Sequence, residues 1–259
     1  MDVYWLEQSE ADVPTADDWL SSNEVVRLNG MRVAKRRADW RLGCWTAKCA
    51  LAIYLTLPDH LQSLQEIEVR PAPSGAPEAF VSNAGVAVTI SISHRAGVAA
   101  CAVAPSGASL GCDLEIIEPR SDAFIADYFT IEEQELIARV RLDDRSRLVA
   151  LLWSGKESAL KALREGLRLD TRCLKICPID SVPNRREDID GYFEDSALPF
   201  RPSAVVCAWS PMQVSCKDGS EFQGWWQCIG NRVRTLVAAP PPTPPIFLPT
   251  LTRDAHSVP

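Results

Sequence analysis

Apolar residues recur at helical spacing between Ala34 and Leu55, where Ala38, Leu42, Trp45, Cys49 and Ile53 fall on one side and predict an amphipathic helix. Arg37, Arg41 and Lys48 stand four and eleven residues apart, which stacks them on a separate basic stripe of the same helix. Leu148, Leu152, Ala159 and Leu163 form a second helical stripe through Trp153-Ser154-Gly155-Lys156-Glu157-Ser158-Ala159-Leu160-Lys161-Ala162-Leu163. Glu157 and Lys161 lie four apart on a different face of that helix, with Lys156 beside them in sequence. Strand-like runs cover Val86 to Ile92 and Val98 to Ala104, joined by a turn at Arg95-Ala96-Gly97, and further strands are expected around Ala204 to Trp209 and Gly224 to Val237.

The segment Gly111-Cys112-Asp113-Leu114-Glu115 reads as another strand, with period-two alternation that puts Asp113 and Glu115 on one face. Two anions side by side repel, and aspartate is disfavoured in strands, so a one-faced acid pair among apolar residues calls for a cation. Magnesium takes one or two carboxylates, keeps waters and accepts its remaining oxygens from phosphates, which suits this set. Taken alone, the acid pair reads more readily as the solvated acidic face of an edge strand, and Glu157 with Lys161 as an exposed helix pair worth about 0.3–0.5 kcal/mol.

Composition narrows the classes. With 259 residues, 46% hydrophobic and 24% charged, the chain can bury a sizeable core as one large domain or two half-sized ones. No apolar run reaches membrane-spanning length and Met1 to Glu10 does not resemble a secretory leader, so a cytoplasmic protein without membrane association is expected. Nine scattered cysteines without a C-x-x-C pair, and histidines only at 60, 94 and 256, read as reduced thiols rather than a zinc site or disulfide framework. There is no P-loop, dinucleotide fingerprint or G-x-S-x-G elbow. A net charge of -7 argues against nucleic-acid binding. Positive charge is concentrated at Arg139, Arg141, Arg145 and Arg147 and between Arg32 and Arg37, either of which could steer an acidic partner.

The order Ser91-Ile92-Ser93-His94, Gly111-Cys112-Asp113-Leu114-Glu115, Trp153-x-x-Lys156-Glu157-x-x-x-Lys161 and Gly166-Leu167 resembles the 4'-phosphopantetheinyl transferases of the long, pseudodimeric type, which include the activators of surfactin synthetase. The resemblance spans roughly residues 35 to 171 through several separate motifs in sequence order. It implies an α+β fold of two similar halves related by a pseudo-twofold axis, with the active site in the cleft between them. Residues 1–107 would form the N-terminal half, 108–239 the C-terminal half carrying magnesium, and 240–259, with six prolines between 240 and 249, an extended or disordered tail that can be trimmed.

The implied reaction moves the phosphopantetheine arm of coenzyme A onto a serine of an apo carrier protein (acyl, peptidyl or aryl) and releases adenosine 3',5'-bisphosphate. By the same resemblance Asp113, Glu115 and Glu157 hold Mg2+, with Glu157 also the base for the incoming hydroxyl. Lys161 and Lys156 neutralise phosphate charge, and Ser93 and His94 contact the coenzyme A phosphates. Arg37, Arg41 and Lys48 bind coenzyme A from the first helix, although Cys44 follows Gly43 where many relatives have arginine. Gly75, Ala76 and Pro77, in the rigid loop Pro71 to Pro77, resemble a G-K-P loop that cradles adenine, with Ala76 in place of the lysine. Glu133 falls at an additional acidic position, although Thr130 three residues before it is also the signature of a capping box. The family expectation is a monomer. A magnesium-dependent phosphoesterase acting on a nucleotide or coenzyme A, and a non-catalytic coenzyme A-binding protein, are the alternatives. The role of Pro178 to Pro202, rich in acids and prolines, is not legible.

Overall fold

The computed structural model describes residues 1–58, 60–179 and 208–250. The chain runs β1 (Tyr4–Ser9), α1 (Ser22–Asn29), α2 (Ala34–Tyr54), α3 (Leu61–Glu66), β2 (Ile67–Pro71), β3 (Pro77–Val81), β4 (Ala84–Gly85), β5 (Val88–Arg95), β6 (Val98–Pro105) and β7 (Ser109–Ile116). It continues through α4 (Asp122–Tyr128), α5 (Ile131–Arg139), α6 (Leu142–Leu163), β8 (Leu174–Pro178), β9 (Ser210–Cys216), β10 (Glu221–Ile229), β11 (Arg232–Ala239) and β12 (Ile246–Phe247). This is a mixed α/β architecture. The expected helix from Ala34 closes at Tyr54, and the expected strands before and after Arg95-Ala96-Gly97 are β5 and β6.

Two sheets carry the fold, one ordered β12-β1-β6-β5 and one ordered β7-β11-β10-β9-β8, with a small β2-β3-β4 sheet beside the first. Strand β6 explains how the sheets join. Its outward Cys101 and Val103 belong to the core beneath α2, whereas Val98, Ala100, Ala102 and Ala104 join Leu110, Cys112, Leu114, Leu236 and Ala238 in a core between the sheets. Small side chains on that inner face let the sheets approach closely. A third core lies under α4, α5 and α6 against β8 to β11. At the seam of β5 with β7, serines bridge the strands: Ser91 Oγ accepts from Cys112 N at 2.9 Å and Ser93 Oγ from Leu114 N at 3.2 Å. Two residues apart, both serines face the same side of β5, as the strand period requires.

Two capping boxes fix the short helices. Ser21 and Glu24 cap α1, and Thr130 and Glu133 cap α5. In each, the glutamate also reaches a buried lysine on the following long helix: Glu24 pairs with Lys48 of α2, and Glu133 with Lys156 of α6 at 2.8 Å. Each glutamate further accepts a strand N–H, from Val69 at 3.2 Å and Ile176 at 2.9 Å respectively.

The proline-rich segment departs from expectation. Of the two forms expected, extended or disordered, residues 240–248 take the extended one, but bound rather than free: β12 pairs parallel with β1, Ile246 N donates to Val3 O at 2.9 Å and Leu248 N to Trp5 O at 2.8 Å. Trp225 Nε1 donates to Pro242 O at 3.0 Å, and Phe247 stacks on Trp209. Prolines lack the N–H of a ladder donor but tolerate an edge position, where β12 sits. The expected strand at 204–209 and the segment 178–202 fall almost entirely outside the described residues, as does the end of the tail.

Candidate functional site

Gly111 determines how closely α6 can lie on β7. A Cβ there would stand 1.8 Å from Ser158 O, so only glycine lets the helix settle this near the strand. That approach brings one face of α6, carrying Ser154, Glu157, Ser158 and Lys161, down onto Asp113.

Asp113 is buried and accepts three hydrogen bonds, two on Oδ1 and one on Oδ2. Lys161 Nζ and Ser93 Oγ each lie 2.8 Å from Oδ1, and Ser154 Oγ donates to Oδ2 at 2.9 Å. Lys161 also donates to Cys112 O at 2.9 Å. Glu115, two residues along the same face, accepts from Trp153 Nε1 at 3.2 Å and has Arg95 and Arg120 at 3.4 and 3.5 Å. Trp153 is held in turn by edge-on contacts with Phe124 and Tyr128.

Charge in this cluster is incompletely balanced. Burial, followed by the charge of Asp113, pushes the Glu115 carboxyl up, against the opposing Arg95 and Arg120. Glu157 is raised by burial and then by Asp113 and Glu115, with Lys161 opposing. Burial alone would lower Lys161, but Asp113 and its neighbours hold its pKa above the ordinary value. Two carboxyls with raised pKa values facing a third describe a place that gains from a further cation. Among the described residues no three His, Cys, Asp or Glu side chains already converge as a closed metal cage. The donor chemistry still fits magnesium, which needs only one or two protein carboxylates when waters and phosphate oxygens complete its shell.

A cavity of about 630 Å3 is lined by Arg27, Lys35, Arg36, Trp40, Gly43, Arg70, Gly75, Pro77, Ile92 and His94 among others. A smaller one of about 260 Å3 shares Gly75, Pro77 and Ile92 with it and continues past Ala76 and Ser91 to Lys161 and Arg164. The loop at Gly75 is a tight turn, with Gly75 N donating to Ala72 O at 2.8 Å and Gly75 at φ +90°. His94 lines the cavity, and partial burial there lowers its pKa, with Asp39 opposing and Lys161 and Lys35 adding to the effect. Ser93 points the other way, into Asp113.

Three expected basic contacts are placed elsewhere. Lys156 is wholly buried on another face of α6, tied to Glu133, Thr171 O and Leu174 O, because one residue of helix rotates it away from Glu157. Lys48 is buried likewise, with Glu24 and Trp19 O as partners, and Arg41 pairs with Asp17 at 2.9 Å and donates to Pro14 O. The segment from Pro14 to Glu24 folds over the basic stripe of α2 and covers both. Arg37 lines neither cavity. Glu133, expected as a site-adjacent acid, is the buried partner of Lys156 and the cap of α5. The arginines near 139–147 are also spoken for: Arg139 pairs with Glu135, Arg141 and Arg147 with Asp144, and Arg145 with Asp122.

Sequence reasoning missed Arg27 and Arg70 at the cavity, Arg95 and Arg120 beside Glu115, and the hydroxyls of Ser154 and Ser158. The last two were within reach, since 154, 158 and 161 fall on one helical stripe with Glu157. Arg27 and Arg70 come from α1 and β2, and no local spacing relates them to α2.

Comparison with known proteins bears on this region. Residues 109–207 match the family model of the 4'-phosphopantetheinyl transferase superfamily. The 4'-phosphopantetheinyl transferase HetI of Nostoc sp. is 26% identical over 165 residues, covering 62% of this chain and 67% of HetI. These matches support an enzyme of the transferase class, and within it a 4'-phosphopantetheinyl transferase. Among solved structures, the holo-(acyl-carrier-protein) synthase of Bacillus anthracis, in complex with CoA (3',5'-ADP), aligns at a TM-score of 0.34 and 21% identity over 39% of this chain and 92% of that one. The Helicobacter pylori holo-[acyl-carrier-protein] synthase, in complex with coenzyme A, aligns at 0.32 and 20% over 40% and 99%. Superpositions this loose carry no weight for the site.

Proposed function

We propose that the protein transfers the 4'-phosphopantetheine arm of coenzyme A to a serine of an apo carrier protein, with Mg2+ and with release of adenosine 3',5'-bisphosphate. The observation that carries the reading is the Lys161–Asp113 ion pair, with Glu115 and Glu157 within electrostatic reach of that aspartate, at the end of the smaller cavity that Lys161 and Arg164 line. Asp113, Glu115 and Glu157 would hold the magnesium, which would supply charge neutralisation at the coenzyme A pyrophosphate. Lys161 adds a positive charge beside the transferring phosphate. Lys161 pairs with Asp113 rather than with Glu157, and Glu157 forms no ion pair among the described residues, which leaves its carboxylate available to accept the serine proton. Phosphoryl-type transfer asks for this positioning and charge more than for covalent help.

The long cavity takes the nucleotide end. Arg27, Arg36 and Arg70, with His94 and the Gly75-Ala76-Pro77 turn, serve as its grips in place of Lys48 and Arg41. Positive surface for an acidic carrier lies at Arg32, exposed and without an ion pair among the described residues, rather than at 139–147.

The two halves, 1–107 and 108–239, are read as copies of one unit of the long, pseudodimeric type. In support, β1-β6-β5 under α2 parallels β7-β11-β10 under α6. The Glu24–Lys48–Val69 N arrangement also recurs as Glu133–Lys156–Ile176 N at nearly constant offset. A chain holding both halves forms its own cleft, which makes it a monomer. No helix among the described residues is long and apolar enough to cross a membrane, and a cytoplasmic location is proposed with the reaction.

Product analysis with coenzyme A, Mg2+ and an apo carrier tests the reading. Adenosine 3',5'-bisphosphate should form only when carrier is present. Its formation without carrier would instead indicate hydrolysis, and no turnover with coenzyme A still bound would indicate a binding protein.

A further inference from the structure

Behind Asp113 lies a set of buried hydroxyls that the proposed reaction does not use. Ser154, Ser158 and Thr235 are each fully buried. Thr235 sits on β11 directly opposite Asp113 of β7. Ser154 Oγ lies 2.9 Å from Asp113 Oδ2 and 2.9 Å from Thr235 Oγ1, and Thr235 Oγ1 lies 2.7 Å from Ser158 Oγ.

The direction of the protons follows from counting them. Asp113, ion-paired with Lys161, only accepts, and a hydroxyl has one proton to give. Ser154 therefore donates to Asp113 and must accept from Thr235. Thr235, its proton spent on Ser154, accepts from Ser158 at 2.7 Å, and Ser158 Oγ also lies within donating distance of Thr235 O at 3.3 Å. The chain runs one way, from Ser158 through Thr235 and Ser154 to Asp113.

We propose that Thr235 is a positioning residue for metal binding: its hydroxyl, through Ser154, locks the orientation of the Asp113 carboxylate. A serine inside a helix can otherwise turn its hydroxyl back to the carbonyl four residues earlier. Thr235 holds the Ser154 oxygen from the far side and keeps its proton on Oδ2. With Oδ1 fixed by Ser93 and Lys161 and Oδ2 by Ser154, the carboxylate plane has a single setting. The inference rests on the proposal that Asp113 is a ligand of the magnesium.

The test is direct titration of Mn2+, as the magnesium probe, into the full-length protein with coenzyme A bound, read by the free-Mn2+ paramagnetic resonance signal. Thr235→Val removes the hydroxyl at similar volume, Thr235→Ser restores it, and melting curves confirm that each variant is folded. Loss of an outer partner of a metal ligand weakens affinity by about 10- to 100-fold. We expect about tenfold weaker Mn2+ binding in Thr235→Val and recovery to within about twofold in Thr235→Ser. A purely structural threonine would lower the melting temperature and leave the Mn2+ dissociation constant alone, and that result overturns the inference. Should Thr235→Val not fold, Ser154→Ala with the same readout decides in the same way. Wild-type protein that binds coenzyme A but no Mn2+ would overturn the metal reading itself, a failure distinct from unchanged binding in the variants.

Discussion

Replacing Lys156 by methionine separates a structural lysine from a catalytic one. Its ammonium is completely buried and has three acceptors: Glu133 at 2.8 Å, Thr171 O at 2.9 Å and Leu174 O. Methionine keeps the stem but leaves Glu133 without its cation and both carbonyls without a donor. Breaking one side of a buried pair costs about 3–5 kcal/mol. Glu133 retains the N–H groups of Thr130 and Ile176, which keeps the loss near the lower end of that range. For a chain of this size roughly 2–4 °C of melting temperature goes with each kcal/mol, so the variant should melt about 6–15 °C lower. The assay is thermal melting followed by transfer activity per folded molecule, at a temperature where the variant is intact. Activity should stay within about threefold of wild type. Unchanged melting with transfer abolished would show that Lys156 works on phosphate and would refute the structural assignment.

Other outcomes follow from the same geometry. Glu157 holds its proton more tightly folded than unfolded, so its contribution to stability is present below an unfolded pKa of about 4.3 and is lost as pH rises through the raised value. Metal-free Glu157→Gln should therefore melt above wild type at pH 7, converge with it below about pH 4, and show a smaller gain on adding Mg2+; the same gap at both pH values would contradict this. Truncation after Ala239 removes the Thr243, Ile246 and Leu248 N–H bonds to the carbonyls of Met1, Val3 and Trp5 and the Trp225 bond to Pro242. At about 0.5–1.5 kcal/mol each it should lower the melting point by several degrees, whereas an unchanged melt would restore the view of a dispensable tail. Arg36→Ala should raise the KM for coenzyme A about fivefold, or about 1 kcal/mol, with kcat held. Arg41→Ala, by contrast, should act on stability through the loop at Pro14 to Asp17 and leave KM alone.

What the sequence made legible was local. Asp113 with Glu115, and Glu157 with Lys161, lie within single elements whose periods of 2 and 3.6 assign faces directly, and the helix beginning at Ala34 was readable for the same reason. Lys48 and Lys156 misled because period gives a face but not what covers it: the segment 14–24 lies over one, and α5 with β8 over the other. The proline run looked solvated because prolines cannot continue a ladder, yet β1 offered an edge to pair with. Thr235 could not be found locally at all, being 122 residues from Asp113 and joined to it only by the β7–β11 register.

The central claim is tested most directly by the intact mass of an apo carrier protein after incubation with this protein, coenzyme A and Mg2+. The account predicts a gain of one phosphopantetheine on the carrier, abolished by a chelator and by Glu157→Gln. A carrier mass unchanged across several unrelated carriers, with the protein folded and coenzyme A bound, would contradict it.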